Sequence, residues 1–224
     1  MITPNANAAG VSLSTGPVPL DLPEPRKPDA GDALSYLNER HGLWPQAAKP
    51  LVRWGMLYRQ FGPCTAVFVN PERTYAEIFR ASSEPAREVR YTSPGAFWWF
   101  KPLGPGSDAT EAYICESVLD AVSLYCLHLP RFFPGVNPDD IFVDNILYCA
   151  VGDASRQEAI DAIKAGMAAA GRGTVIALNN TDAGLAARAR NAGCKSIAPH
   201  GTSWNEDLKA SRTATWNRFA HRAV

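Results

Sequence analysis

Thr174-Val175-Ile176-Ala177-Leu178-Asn179-Asn180-Thr181-Asp182-Ala183-Gly184 is the stretch that decides the architecture of this chain. Residues 174–178 are a short apolar run, β-branched at its start, that stops abruptly at polar residues, which is the pattern of a buried strand. Ala183-Gly184 then opens the Ala- and Arg-rich stretch Leu185-Ala186-Ala187-Arg188-Ala189-Arg190, whose composition favours a helix ending near Gly193. The loop between them falls at the carboxyl end of a strand, where open α/β sheets hold their ligands.

The same organisation recurs on both sides. Ala112-Tyr113-Ile114-Cys115 reads as a strand, and Glu116-Ser117-Val118-Leu119-Asp120-Ala121-Val122-Ser123-Leu124 as a helix starting at Glu116, with Asp120 one turn on. Ile146-Leu147-Tyr148-Cys149-Ala150-Val151 is a further strand, followed by a helical run over residues 156–164. A short strand, Ser196-Ile197-Ala198, leads into His200-Gly201-Thr202-Ser203-Trp204-Asn205-Glu206-Asp207-Leu208. Alternation at this spacing predicts a small parallel sheet flanked by helices.

Ile114-Cys115-Glu116-Ser117-Val118-Leu119-Asp120-Ala121 resembles the first motif of the TOPRIM domain shared by primases, topoisomerases and related nucleases, with Glu116 at the glutamate position. By the same resemblance Leu178-Asn179-Asn180-Thr181-Asp182-Ala183-Gly184 lies on the family's Leu-Asp-Asn-Asp-Glu-Ala-Gly, which puts Asn179 and Thr181 where its two aspartates belong. The segment 199–208 is similar to a Gly-Lys-Asp-Trp-Asn-Glu-Asp-Leu stretch of TOPRIM proteins carried by plasmids and other mobile elements, with Thr202 and Ser203 in place of the charged pair. Residues 33–43 and 51–58 look like the helical region that precedes TOPRIM in that subgroup. The resemblance implies a Rossmann-like α/β fold and, in active members, Mg²⁺ held by the glutamate and the aspartate pair.

Here that pair is missing. Mg²⁺ is a hard cation held by carboxylates and waters, and an amide or hydroxyl oxygen brings no charge to offset its dehydration. Glu116 therefore reads as vestigial, and no metal or other cofactor is expected; were the site active it would use Mg²⁺, with Glu116 and Asp182 the acids left to hold it. Taken without the resemblance, Glu116 is a helix-starting acid favoured by the dipole, and Asn179-Asn180 a polar turn. His200 reads as loop structure, and Trp204 as an anchor packed under the last loop.

Before the parallel sheet, Pro4, Pro17, Pro19, Pro23, Pro25 and Pro28 mark residues 1–29 as a flexible or extended arm. Residues 30–108 are expected to hold a helical hairpin and a small β region, 109–210 the TOPRIM-like α/β domain, and 211–224 a C-terminal tail. In the hairpin Leu34, Tyr36 and Leu37 form the apolar face, Gly42 ends the first helix and Pro45 begins the second. Three strands are expected in the β region, at residues 65–69, 74–80 and 96–100.

Composition narrows the function. Lys plus Arg number 22 and Asp plus Glu 22, so the chain lacks the basic excess of most nucleic-acid binders. Arg188 and Arg190 could make a weak phosphate contact at most. The five cysteines are scattered and lack zinc-ribbon spacing, the amino terminus lacks a secretory signal, and no apolar run nears the ~20 residues of a membrane helix. A cytoplasmic, reduced protein with no membrane contact is expected. The aromatic run Phe97-Trp98-Trp99-Phe100 and Phe132-Phe133 are the candidate partner-binding surfaces, although alternation in a strand turns one of Trp98 and Trp99 away from any one face.

The expected function is that of a catalytically degenerate TOPRIM protein of a plasmid or mobile element, binding a protein of DNA transfer or replication. A conjugation fertility-inhibition factor is one such role. The alternatives are a Mg²⁺-dependent primase-like or nucleotidyl-transfer enzyme and a non-catalytic nucleic-acid binder.

Overall fold

The computed structural model describes residues 19–23, 30–60, 65–80, 86–102, 109–129 and 146–220. Phe132, Phe133, Cys64, Arg222 and most of the N-terminal arm lie outside the described residues. The fold is mixed α/β with two sheets.

Two helices come first, α1 (Ala30–His41) and α2 (Pro45–Arg53). Gly42 separates them at φ 70°, a left-handed position that an L side chain adopts only under strain. The small sheet is antiparallel, in the order β1 (Leu57–Arg59), β2 (Thr65–Val69), β3 (Tyr75–Arg80), β4 (Arg87–Tyr91). Residues 51–58, expected to be helical, instead split between the end of α2 and the start of β1, because the chain turns at Gly55 (φ 70°).

The second sheet has the order β5 (Trp98–Phe100), β7 (Ile146–Ala150), β6 (Glu111–Cys115), β8 (Gly173–Ile176), β9 (Lys195–Ser196). All its neighbours are parallel except β5, which pairs antiparallel with β7 through Trp98↔Ala150 and Phe100↔Tyr148. The strand at 96–100 thus belongs to this sheet and not to the small β region, and a division at 108 would cut the parallel sheet from its edge strand. The helices are α3 (Val118–His128), α4 (Gln157–Ala169), α5 (Asp182–Arg190) and α6 (Trp204–Ala220). The last runs through most of the segment expected to be a tail.

Strand alternation sorts the core into two layers. Tyr113, Cys115, Tyr148, Ala150, Val175 and Ala177 pack toward α1, α2, α3 and the small sheet, while Ala112, Ile114, Cys149, Ile176 and Leu178 pack toward α4 and α5. Every residue of α3 from Val118 to Cys126 is buried, as expected of a helix enclosed on all sides. The chain passes from central β6 to β7 on one side and then to β8 on the other. This makes the carboxyl end of β6 the topological switch point, where α/β proteins open a crevice.

Candidate functional site

Glu116 is the first residue beyond β6. It does not begin the helix, as its position in the sequence suggests, because Ser117 takes the N-cap: its hydroxyl accepts the Asp120 N–H at 3.0 Å and donates to Asp120 Oδ2 at 2.6 Å. Serine followed three residues on by an acid is a reciprocal capping arrangement, and it leaves Glu116 free of the helix. Its Oε2 is buried and has no hydrogen-bond partner among the described residues.

The loop after β8 brings Asn179 to Asp120. Asn179 is buried and donates Nδ2 to Asp120 Oδ2 at 3.0 Å, while its Oδ1 has no partner among the described residues. Asp120 also accepts the Asn205 N–H, at 3.3 Å on Oδ1. Thr181 is the N-cap of α5, its hydroxyl accepting Gly184 N–H at 3.1 Å, and Asp182 stands exposed in the first turn. Asn180 ties this loop to the next one: its N–H donates to Thr202 O, and its Nδ2 to Pro199 O and Gly201 O. Thr202 and Ser203 continue the theme. Ser203 Oγ accepts Glu206 N–H, and the Glu206 carboxylate accepts Thr202 N–H, so side chain and backbone of this turn cap the start of α6. Trp204 is buried and donates Nε1–H to Ala177 O at 2.7 Å, the anchor its position suggests.

The third wall comes from the small sheet, and sequence reasoning missed it. Glu77 on β3 is fully buried and accepts three hydrogen bonds, from Tyr75 Oη–H (2.6 Å), Arg87 Nε–H (2.8 Å) and the Val118 N–H at the head of α3 (3.0 Å). Arg87 also donates to the carbonyl of Gly152 at 2.6 Å, just beyond β7. Gly152 sits at φ 92°, and a Cβ there would lie 2.8 Å from both Tyr75 Oη and Val89 Cγ1, so only glycine lets the two sheets close at this point. The one hint in the sequence was a glutamate inside an otherwise apolar strand.

Carboxylates dominate the electrostatics. Burial, together with Asp120 and Asp153, pushes the Glu116 carboxyl above its ordinary range, and Arg87 pulls against them. Burial also pushes Glu77 up, opposed first by Arg87. For Asp153 burial acts upward too, but the Ser155 hydroxyl and N–H, with Arg87 and Arg156, hold it below the usual range. Arg87 itself is raised by Glu77, Tyr75 and Asp120 against its own burial. Cys115, Cys126 and Cys149 are buried, which pushes their thiols up, Cys126 to about 12; none supplies a thiolate.

The residues do not form the donor set that Mg²⁺ requires. Asn179 gives its amide hydrogen to Asp120, Thr181 is spent on the helix cap, and Asp182 points into solvent away from the buried pair. The buried acceptors left over here, Glu116 Oε2 and Asn179 Oδ1, are one carboxylate and one amide oxygen. Among the described residues no three His, Cys, Asp or Glu side chains are grouped to hold a metal ion.

The other candidate residues are largely committed inside the fold. Trp98 is fully buried, so it is no partner surface; Trp99 faces the opposite layer and is half-buried against it. Both faces are covered because β5 lies in the larger sheet. Arg188 donates to the carbonyls of Leu178 and Asn179 and to Asn180 Oδ1, clamping the loop that precedes its helix. Arg190 reaches Gln157 Oε1 and Ala154 O. Both guanidiniums thus make contacts within the chain, Arg188 the closer ones, while Arg190 stays exposed.

The two sheets and their helices define a mixed α/β protein whose larger sheet is parallel apart from β5. In keeping with that class, the structure is similar to the primase fragment of the bacteriophage T7 primase-helicase protein, with a TM-score of 0.50 at 11% sequence identity, over 75% of this chain and 66% of that one. At that identity the likeness is one of fold alone. No family model and no curated protein matches the sequence. Among the described residues no helix is long and apolar enough to cross a membrane.

Proposed function

We propose that this chain is a catalytically degenerate primase-like protein that acts by binding a protein partner of DNA transfer or replication. The observation that carries the reading is the Asn179–Asp120 hydrogen bond. At the strand tip where the resemblance implies a metal-binding aspartate, an amide instead satisfies the neighbouring acid. Phosphoryl or nucleotidyl transfer needs a cation to neutralise charge developing on the phosphate. Glu116 with an amide oxygen is a poor holder of one.

The finer role follows from the resemblance of residues 199–208, and of residues 33–43 and 51–58 before the parallel sheet, to TOPRIM proteins of plasmids and mobile elements. We propose a plasmid or mobile-element protein acting in the cytoplasm, with conjugative transfer as the process and fertility inhibition as the action. Affinity capture from cells carrying a conjugative plasmid tests it: specific recovery of a transfer or replication protein supports the reading, and recovery of none counts against it.

A second reading has its own observation. Two buried oxygens, on Glu116 and Asn179, have no partner among the described residues, the condition under which a ligand atom would be welcome. Template-directed primer synthesis or Mg²⁺-dependent strand cleavage by the purified chain, abolished by Glu116→Ala, would establish that enzyme.

A further inference from the structure

We propose that the outer face of the small sheet is a docking site for a linear segment with leucines spaced as Leu20 and Leu22 are, and that the chain's own residues 19–23 fill it as a removable strap. The inference uses none of the crevice residues. It goes beyond the partner-binding reading by naming a surface and the chemistry that the surface takes.

Strand alternation gives the small sheet two faces. Ala66, Phe68, Tyr75 and Phe79 point into the main core, and Glu77 between them reaches the head of α3. Tyr58, Val67, Val69, Ala76 and Ile78 therefore share the opposite face, where the register sets Tyr58 and Ile78 on either side of Val67, and Ala76 beside Val69. That face is apolar, and β4 borders it with Glu88 and Arg90, opposite Ile78 and Ala76. Its occupant is Pro19-Leu20-Asp21-Leu22-Pro23. Leu22 is only 8% exposed and forms one cluster with Val69 and Ala76, against which Leu20 and Tyr58 also pack.

Two hydrogen bonds direct the strap across the strands. Leu20 donates its N–H to the Arg73 carbonyl at 2.8 Å, in the turn from β2 to β3, and the Asp21 carbonyl accepts Arg90 Nη1–H from β4 at 3.3 Å. Arg73 stands at φ 54°, a conformation disfavoured for an L side chain, within a turn that Asn70 Oδ1 fixes by accepting the Thr74 and Tyr75 N–H groups.

Pro19 and Pro23 have no N–H to donate, and Pro23 biases Leu22 before it toward extended backbone. The strap is thus held by leucine burial and two hydrogen bonds, as short linear peptides are held on folded domains. A segment held so lightly exchanges, and any other with the same leucine spacing meets the same contacts. The short tether to α1 keeps the chain's own arm at an effective concentration of about 1 mM, so a free competitor meets a largely filled site.

Fluorescence anisotropy on the full chain tests this, with a fluorescein-labelled peptide of residues 16–26 as the probe. The wild type is compared with Leu20→Asp/Leu22→Asp, whose strap would have to bury charge to stay in place. The peptide should bind the variant saturably and at least about tenfold more tightly than the wild type, and a peptide with both leucines replaced by aspartate should bind neither. Circular dichroism establishes that the variant is folded; where it is not, Leu22→Ala takes its place with the same ordering expected. Equal affinity for wild type and variant, or no binding to a folded variant, would overturn the inference. Neither result touches Glu116 or Asn179, so the degenerate-site reading stands or falls separately.

Discussion

Asn179 Nδ2 and Asp120 Oδ2 lie 3.0 Å apart, joining the loop after β8 to the first turn of α3 across 59 residues of sequence. The bond requires an amide on one side and a carboxylate on the other.

Asn179→Asp should therefore destabilise the fold at neutral pH. The variant exchanges a donor for a second carboxylate beside Asp120, in a buried position where like charges cannot both ionise cheaply. A loss of about 2 kcal/mol is expected by urea unfolding at pH 7, shrinking as the pH falls and one of the two acids takes a proton. An unchanged midpoint would mean that the bond contributes nothing.

Gly184 is fixed by contact. A Cβ there would come 2.1 Å from the Asn179 carbonyl oxygen, a backbone atom that cannot swing aside. Gly184→Ala should cost about 3 kcal/mol despite alanine's better helix propensity, and should weaken the N-terminal turn of α5. Hydrogen exchange at the amides of α5 reads this locally.

Glu116 gives a pH signature. Its folded-state carboxyl is raised from the ordinary value of 4.5 by burial and by Asp120 and Asp153. A raised carboxyl favours the folded state while protonated, so its contribution is present below 4.5 and is lost as pH rises through the higher folded value. Glu116→Gln should then be more stable than the wild type at neutral pH, with the difference vanishing in acid. The opposite order at pH 7 would mean that the ionised carboxylate is favourably held.

His41 gives the opposite sign. Burial, then Lys209 and Arg40, lower its pKa from 6.5 to about 4. The neutral ring is favoured in the folded state, so stability is full above 6.5 and declines as pH falls through about 4. After allowance for its partial exposure the loss is roughly 1–2 kcal/mol. His41→Gln should flatten the stability profile across that window.

The parallel sheet was legible because β6, β7 and β8 are apolar runs separated by helix-length segments, a pattern that local sequence carries by itself. The strand-tip positions of Glu116 and Asn179 followed from it. What local sequence could not carry is pairing between distant segments. Trp98-Trp99-Phe100 alternates like any strand, but only its register with Tyr148 and Ala150 puts it in the larger sheet and buries Trp98. β4, Arg87-Glu88-Val89-Arg90-Tyr91, is polar enough to pass for a loop; it is a strand because its backbone pairs antiparallel with β3, with Glu88 bridging Arg80 and Arg90 along that edge. Glu77 is a charge inside an apolar strand whose partners, Arg87 and the Val118 N–H, come from elsewhere in the chain. The helix expected to start at Glu116 starts two residues later, at Val118, because Ser117 makes the stronger cap.

Titration calorimetry of the wild-type chain with MnCl₂, in parallel with Glu116→Ala, tests the central claim most directly. The account predicts no saturable heat from either protein up to millimolar cation, because an amide stands where a second carboxylate is needed. Micromolar, one-site binding that disappears with Glu116→Ala would contradict it.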